Sequence, residues 1–259
     1  MKYLAMILLG LSLLPLLFGC GPTPPKIKLD AEDQFLLAKK KFDNRKYTDA
    51  QTEFQKLIWD FPGSEYVDEA HFYLAECYFH LEDYPSAIDA YTRLLNNYSR
   101  SPFTDEAQFQ VGHSYYKQTL PSSLDQEFTR KAIREFQTFL EDYPDNEKVP
   151  EAQKLLLNCR TRLAKKEYDT GHLYYKMGAY VSAIIYYEEL IKNYSDTKWA
   201  DDAQFGLGEC YRQQEKWDQA LEAYRRVLEI NSAAKLVHRA QKQIEKIEKK
   251  LHQSQKSSG

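Results

Sequence analysis

The chain has 259 residues, 43% of them hydrophobic, and a formal net charge of −3 at pH 7. This hydrophobic content is ample for an ordered core. Because there is no basic excess, the composition gives no indication of a nucleic-acid partner.

The N-terminal segment has the build of a lipoprotein signal. An apolar run from Tyr3 to Phe18 follows Lys2, and it is shorter than the about 20 residues that a membrane-spanning helix needs. It ends in Leu17-Phe18-Gly19-Cys20, which resembles a bacterial lipobox, where the cysteine is acylated and becomes the mature N-terminus. We therefore predict a signal peptide at 1–19, lipid attachment at Cys20 and a Pro-rich tether at 20–30.

An internal repeat organises the rest of the chain. One series of alanines, each followed by an aromatic or aliphatic residue three or four positions later, comprises Ala50, Ala87, Ala132, Ala183 and Ala220. A second series follows 20 residues behind it and comprises Ala70, Ala107, Ala152, Ala203 and Ala240. The spacings are 37, 45, 51 and 37 residues in both series. A recurring period of this length indicates a solenoid.

Each unit contains two segments of helical periodicity, and no stretch alternates long enough to suggest a sheet, so we predict an all-α fold. The 14-residue insertion contains neither Gly nor Pro, which predicts one long helix over residues 149–177 because 14 residues are close to four turns. The 8-residue insertion around Pro121 predicts a loop in unit three. An apolar stripe on the last helix predicts a cap; its residues are Leu236, Ala240, Ile244, Ile247 and Leu251.

The units resemble the tetratricopeptide repeat, a helical hairpin of 34 residues. The residues that fill the motif's slots in unit two are Leu74, Ala75, Tyr78, Ala87, Tyr91 and Ser99. The resemblance implies a superhelical solenoid of about five hairpins plus a C-terminal capping helix. We assign units one to three to residues 31–147, units four and five with the long helix and the cap to 148–252, and a disordered tail to 253–259.

Few residues suggest chemistry. The six histidines include no HExxH pair, and no phosphate-binding glycine motif or GxSxG is present, so we expect no metal, no cofactor and no enzymatic activity. Cys77, Cys159 and Cys210 occupy the same helical slot in different units. We interpret them as small, buried and reduced residues.

Aromatic pairs seven residues apart recur on the first helix of successive units. Positions transferred from the tetratricopeptide motif place them on the concave groove, although aromatic stripes at helical spacing also occur in cores. Because other residues already fill the core slots, we predict an exposed client-binding groove that consists of Phe35, Phe42, Phe72, Phe79, Phe109 and Tyr116.

Two longer stretches resemble the BamD (ComL/YfiO) family of outer-membrane assembly lipoproteins. They are FDNRKYTDAQTEFQKLIWDFPGSEYVDEA and RLAKKEYDTGHLYYKMGAYVSAIIYYEELIKNYSDT. The resemblance implies a periplasmic adaptor that is lipid-anchored to the outer membrane, with no other membrane attachment. Its first units would receive unfolded β-barrel proteins, its last units would dock the BamA-like insertase, and other accessory lipoproteins could join.

Two other classes of protein remain open from the sequence. The same repeats would serve another tetratricopeptide lipoprotein, such as a type IV pilus assembly factor or an envelope-division coordinator, although such proteins usually lack the long helix. The other class is an enzyme or a peptidoglycan-binding module, for which the sequence shows no group of residues that would form the site.

Overall fold

The computed structural model describes residues 29–230 and 233–257. Over these residues the chain forms eleven α-helices and no strand. They are α1 (Ala31–Asp43), α2 (Tyr47–Asp60), α3 (Val67–His80), α4 (Tyr84–Asn97), α5 (Thr104–Lys117), α6 (Glu127–Asp142), α7 (Val149–Lys176), α8 (Tyr180–Asn193), α9 (Lys198–Gln213), α10 (Trp217–Glu229) and α11 (Ala234–Ser257).

Consecutive helices pair into five hairpins, and each hairpin packs on the next. We call the first helix of each hairpin its A helix (α1, α3, α5, α7, α9) and the second its B helix (α2, α4, α6, α8, α10). Helix α11 follows as a single helix against α10. The fold is a tetratricopeptide-repeat solenoid of five hairpins and a C-terminal helix, as the repeat pattern predicts.

In the last three hairpins a glycine on the A helix faces a buried ring on the B helix. A Cβ atom added at Gly112 would lie 2.9 Å from the Phe136 ring, and one added at Gly208 would lie 2.5 Å from the Tyr224 ring. Since real Cβ atoms do not approach so closely, the ring occupies the space that a side chain would need. The small residue therefore sets the short distance between the two helices.

The turns between A and B helices share one backbone feature. Arg45, Glu82, Gly178 and Glu215 all have positive φ angles between 57° and 76°, and a residue of this conformation is a common way to end a helix. Unit three departs from this pattern, because the predicted loop separates α5 from α6. Buried Gln126 holds that loop by donating its side-chain amide to the carbonyl oxygen of Pro121 at 2.8 Å.

The long helix predicted at 149–177 is present as α7, Val149–Lys176. Its two halves belong to different parts of the core. Ala152 and Cys159 pack with α5 and α6, whereas Ala164 packs with α8 and α9. One helix thus serves as the wall of unit three and as the A helix of unit four.

The capping helix is also confirmed, with its apolar stripe packed against α9 and α10. The predicted disordered tail at 253–259 is wrong at its start, because α11 continues through Ser257. The signal peptide, Cys20 and most of the tether lie outside the described residues. In the part of the chain that is described, no helix is long and apolar enough to span a membrane.

Candidate partner-binding surfaces

Three of the six predicted groove residues are core residues, which corrects the expectation that all six lie on an open surface. Phe35 and Phe72 are each 7% exposed, and Phe109 is 2% exposed. Each ring contacts its own B helix: the centroids of Phe35 and Phe54 are 6.1 Å apart, and those of Phe109 and Phe139 are 5.6 Å apart.

These rings are buried because the turn that leads into the next unit places a side chain over each of them. Tyr66 stacks on Phe35 at 5.2 Å, and Phe103 stacks on Phe72 at 4.9 Å. The ammonium of Lys148 lies 5.0 Å from the ring centroid of Phe109, a cation–π contact. The turn from B helix to A helix is longer than in the standard motif, and the extra residues supply these covering side chains.

The other three predicted residues, Phe42, Phe79 and Tyr116, are half-buried. Two histidines join them into a row of rings that runs from α1 across α3 to α5. The centroid distances along the row are 5.7 Å from Phe42 to His80, 6.0 Å from His80 to Phe79, 5.1 Å from Phe79 to His113 and 6.5 Å from His113 to Tyr116. We call these five residues the ring row.

The two imidazoles of the ring row are held in their neutral form. Burial, with a smaller contribution from Lys117 and Lys148, lowers the pKa of His113 to about 4. Burial and the charge of Arg45 lower the pKa of His80. The ring row is therefore an uncharged aromatic strip at neutral pH. A ligand can cover it without the cost of removing water from a charged imidazole.

A second surface lies at the turn between α7 and α8, where four large apolar side chains are exposed. Their exposed fractions are 56% for Leu173, 69% for Met177, 66% for Val181 and 52% for Ile185. Leu173 lies on α7, and Met177 is the C-cap of that helix four positions later. Val181 and Ile185 are one turn apart on α8, so each pair shares a helix face. We call these four residues the apolar patch.

The length of α7 explains why Leu173 in this patch is uncovered. Counted from the last residue of each A helix, Leu173 corresponds to Cys77, Ser114 and Cys210. These three residues are fully buried on A helices that pack against the preceding B helix. For α7 the preceding B helix is α6, and it packs with the first half of α7, around Ala152 and Cys159. The second half of α7 therefore extends past the helix that would otherwise cover it.

The three cysteines expected to be reduced are free and fully buried. Burial raises the pKa of the Cys77, Cys159 and Cys210 thiols to about 12, so the nucleophilic thiolate is scarce at neutral pH. Among the described residues no group of three or more His, Cys, Asp or Glu side chains could hold a metal ion.

Comparison with known proteins shows what this chain is similar to. The outer membrane protein assembly factor BamD of Vibrio cholerae serotype O1 is 29% identical over 107 residues, which is 41% of this chain and 44% of that protein. A tetratricopeptide repeat protein from Parabacteroides merdae is 15% identical with a TM-score of 0.42, over 85% of this chain and 86% of that chain. A thermophilic protein of the same repeat type from Thermus thermophilus is 18% identical with a TM-score of 0.37, over 82% of this chain and 98% of that chain.

The chain spans less than half the length of the BamD sequence that it matches. The sequence profile of the YfiO family, which is described as outer membrane lipoprotein, matches residues 28–226. This match covers the five hairpins up to the last turn of α10. The chain therefore belongs to the YfiO family of outer membrane lipoproteins.

Proposed function

We propose that this protein is a lipid-anchored periplasmic adaptor for the assembly of outer-membrane β-barrel proteins. In this role the ring row receives a segment of an unfolded barrel protein, and the apolar patch docks the BamA-like insertase. The observation that carries the client-binding part is the continuous strip of neutral rings across three A helices. Membership in the YfiO family supplies the biological context.

The ring row suits an extended apolar segment that carries aromatic side chains. Its members come from three successive units, so a chain lying across α1, α3 and α5 would meet a ring at each helix. Burying one large apolar side chain contributes about 1.5–3 kcal/mol, and well-placed aromatic pairs add about 0.5–1.5 kcal/mol. Two such contacts would give a short segment measurable but reversible binding, which suits a protein that passes its client onward.

The client-binding proposal is tested with Phe79→Ala combined with Tyr116→Ala. We expect binding of a fluorescent peptide from the C-terminus of an outer-membrane barrel protein to weaken by one to two powers of ten, because about 1.4 kcal/mol corresponds to tenfold. Trp59, which is 85% exposed on α2, offers the control Trp59→Ala. Unchanged binding by the double variant, or an equal loss in the control, would refute a client site at the ring row.

The apolar patch is the feature that favours a second partner. Exposed apolar surface concentrated in one place commonly marks an interaction site, and here Leu173 occupies a slot that a helix covers in other units. A partner that supplies an apolar face would complete the packing that the solenoid leaves open beside the second half of α7. In the proposed assembly this partner is the insertase, and the patch lies in unit four, well separated in sequence from the ring row.

The docking proposal is tested by purification from detergent-solubilised outer membrane. Val181→Asp should abolish co-purification of the large barrel insertase, because an unpaired carboxylate in an apolar interface is costly to desolvate. Leu36→Asp is a matched control, since Leu36 is 55% exposed on α1, outside the patch. Full recovery of the insertase with Val181→Asp would contradict docking at this surface.

Cys20 is proposed as the lipid anchor. Cys20→Ser should leave a folded protein that no longer partitions into the membrane fraction, because two or more acyl chains are needed for stable anchoring. An intact mass of the mature wild-type chain without added lipid would rule out this anchor.

A further inference from the structure

A pocket of about 370 Å³ lies between α7, α9 and α11, in the C-terminal part of the solenoid. It is separate from the ring row, which belongs to α1, α3 and α5, and from the apolar patch on the α7–α8 turn. Its volume is at the lower end of the range of ligand pockets, about 300–1,000 Å³. It has room for a few residues of a bound chain.

One wall of the pocket is cationic. Arg239, Lys242 and Lys246 line it from α11, at spacings of three and four residues that place them on one helix face. All three side chains are exposed, and none forms an ion pair within the described part of the chain. The guanidinium carbon of Arg239 lies 4.2 Å from the ring centroid of Phe205, which positions this charge over the pocket floor.

Two carboxylates also line the pocket, but neither neutralises this wall by a direct ion pair. Glu209 accepts hydrogen bonds from the Tyr224 hydroxyl at 2.6 Å and from Arg212 at 2.9 Å, so its charge is already matched inside the fold. Burial raises the pKa of Asp202, while the charge of Arg239 acts in the opposite direction. The three cations of α11 therefore leave an excess of positive charge facing the pocket.

The opposite wall is aromatic. Tyr168, His172 and Tyr175 follow one face of α7, and their rings are nearly parallel: the centroids are 5.8 Å apart from Tyr168 to His172 and 6.1 Å apart from His172 to Tyr175. Burial and the charge of Lys176 lower the pKa of His172, which favours its neutral form. This wall offers flat aromatic surface in the same pocket as the charges of α11.

We propose that this pocket binds a carboxylate of an extended protein segment next to an aromatic or large apolar side chain. The carboxylate would pair with the cations of α11, and the neighbouring side chain would pack on the rings of α7. The carboxylate could be the C-terminal group of the bound chain or an acidic side chain within it. The inference does not depend on the proposed roles of the ring row and the apolar patch.

A protein segment fits better than a nucleic acid, which also combines flat rings with negative charge. A polyphosphate backbone carries a charge at every residue and would meet Asp202 and Glu209 in the same pocket. The chain as a whole carries a net charge of −3, whereas nucleic-acid binding depends on a broad basic surface. A single carboxylate requires only the local excess that α11 provides.

The test uses the full chain in detergent and fluorescein-labelled hexapeptides in an anisotropy titration. The first peptide, Gly-Ser-Gly-Ser-Tyr-Phe, has a free C-terminal carboxylate, and the second is its C-terminal amide. The third is an amide with internal acids, Gly-Asp-Tyr-Asp-Phe-Gly, and the fourth replaces both Asp of the third with Asn. A single-stranded oligothymidine of six nucleotides is the fifth probe.

We expect a carboxylate peptide to bind about tenfold more tightly than its uncharged counterpart, because a carboxylate between two cations forms charge-assisted hydrogen bonds. A difference between the first and second peptides identifies the C-terminal carboxylate as the ligand group, and a difference between the third and fourth identifies acidic side chains. Equal binding within both pairs, or tighter binding of the oligothymidine than of every peptide, would overturn the proposal.

The location is tested with Arg239→Gln combined with Lys242→Gln, which should weaken the preferred peptide about tenfold. The matched control is Arg134→Gln combined with Lys216→Gln, which removes the same two charges at exposed positions outside the pocket and should change binding less than twofold. If loss of the Arg239–Phe205 contact loosens α11, Lys242→Gln with Lys246→Gln keeps that contact and should still weaken binding. Wild-type affinity in both pocket variants would place the ligand elsewhere.

Discussion

Phe72 and Phe79 form a matched pair for testing how the solenoid divides its aromatic residues between core and surface. Both lie on α3, two turns apart, and each can be changed to alanine. Phe72 is 7% exposed and stacks on Phe103 at 4.9 Å, whereas Phe79 is half-buried in the middle of the ring row. Only the first should behave as a core residue.

The expected difference follows from the burial of the two rings. Truncation of a buried Phe costs about 3–5 kcal/mol. For the half-covered ring of Phe79 we expect about 0.75–1.5 kcal/mol, which is half of the value for full burial. In a chain of this size 1 kcal/mol lowers Tm by about 2–4 °C. Phe72→Ala should therefore lower Tm by about 6–20 °C and Phe79→Ala by about 2–6 °C.

Thermal and urea unfolding followed by circular dichroism measures these shifts, and hydrogen exchange shows where they originate. Stability in a solenoid is approximately a sum of units and neighbouring interfaces, so Phe72→Ala should increase exchange first in α3, α4 and α5. If Phe72→Ala melts like wild type, the covering of Phe72 by Phe103 is wrong. If Phe79→Ala is as destabilising as Phe72→Ala, the ring row is core and not a binding surface.

Three further predictions concern the thiols, the helix contacts and a buried imidazole. Cys77, Cys159 and Cys210 should resist alkylation in the native protein and react after denaturation without reductant, as counted by mass spectrometry; a disulfide-linked peptide would contradict this. Gly208→Ala should lower the free energy of unfolding, measured by urea unfolding, by about 1–2 kcal/mol. Its Cβ would lie 2.5 Å from the Tyr224 ring, and the cost of overpacking outweighs the gain in helix propensity. The control Gly63→Ala adds a Cβ that meets nothing within 4 Å and should be nearly neutral. Burial lowers the pKa of His113 in the folded state to about 4, against an ordinary 6.5. On acidification the unfolded chain therefore binds this proton first, and the free energy of unfolding should fall as pH drops from about 6.5 to about 4. His113→Asn should reduce this pH dependence, and an unchanged pH dependence would contradict the burial of the imidazole.

The repeat could be predicted from the sequence because its alanines mark the closest contacts between helices, where only small residues fit. The long helix could be predicted because 14 residues without Gly or Pro return nearly the same face to the core. The tail was predicted wrongly, since the polar residues after 252 gave no apolar stripe to extend α11, yet the helix continues through Ser257.

The burial of Phe35, Phe72 and Phe109 could not be predicted from the A helices alone, because the covering side chains come from the turns before the next unit. A signal for them does exist in the sequence. Tyr66, Phe103, Lys148 and Trp199 follow one another at 37, 45 and 51 residues, the same spacings as the alanines. These positions mark a regular element of the repeat.

The exposure of the apolar patch was not predicted, for a different reason. Leu173 and Met177 continue the helical apolar pattern of α7, and the pattern does not show which stretch of a long helix lacks a covering neighbour. The pocket at α11 could not be predicted, because it depends on the packing of three helices from distant parts of the sequence. The sequence does show the basic residues on the face of α11 away from its apolar stripe.

Site-specific photocrosslinking in cells tests the central claim, that client and insertase bind at two separate surfaces. The photoreactive residue p-benzoylphenylalanine would replace Phe79 in the ring row of one strain and Val181 in the apolar patch of another. We predict that crosslinks from position 79 contain unfolded outer-membrane barrel proteins and that crosslinks from position 181 contain the BamA-like insertase. The same partner at both positions, or the insertase at position 79 and clients at position 181, would contradict the account.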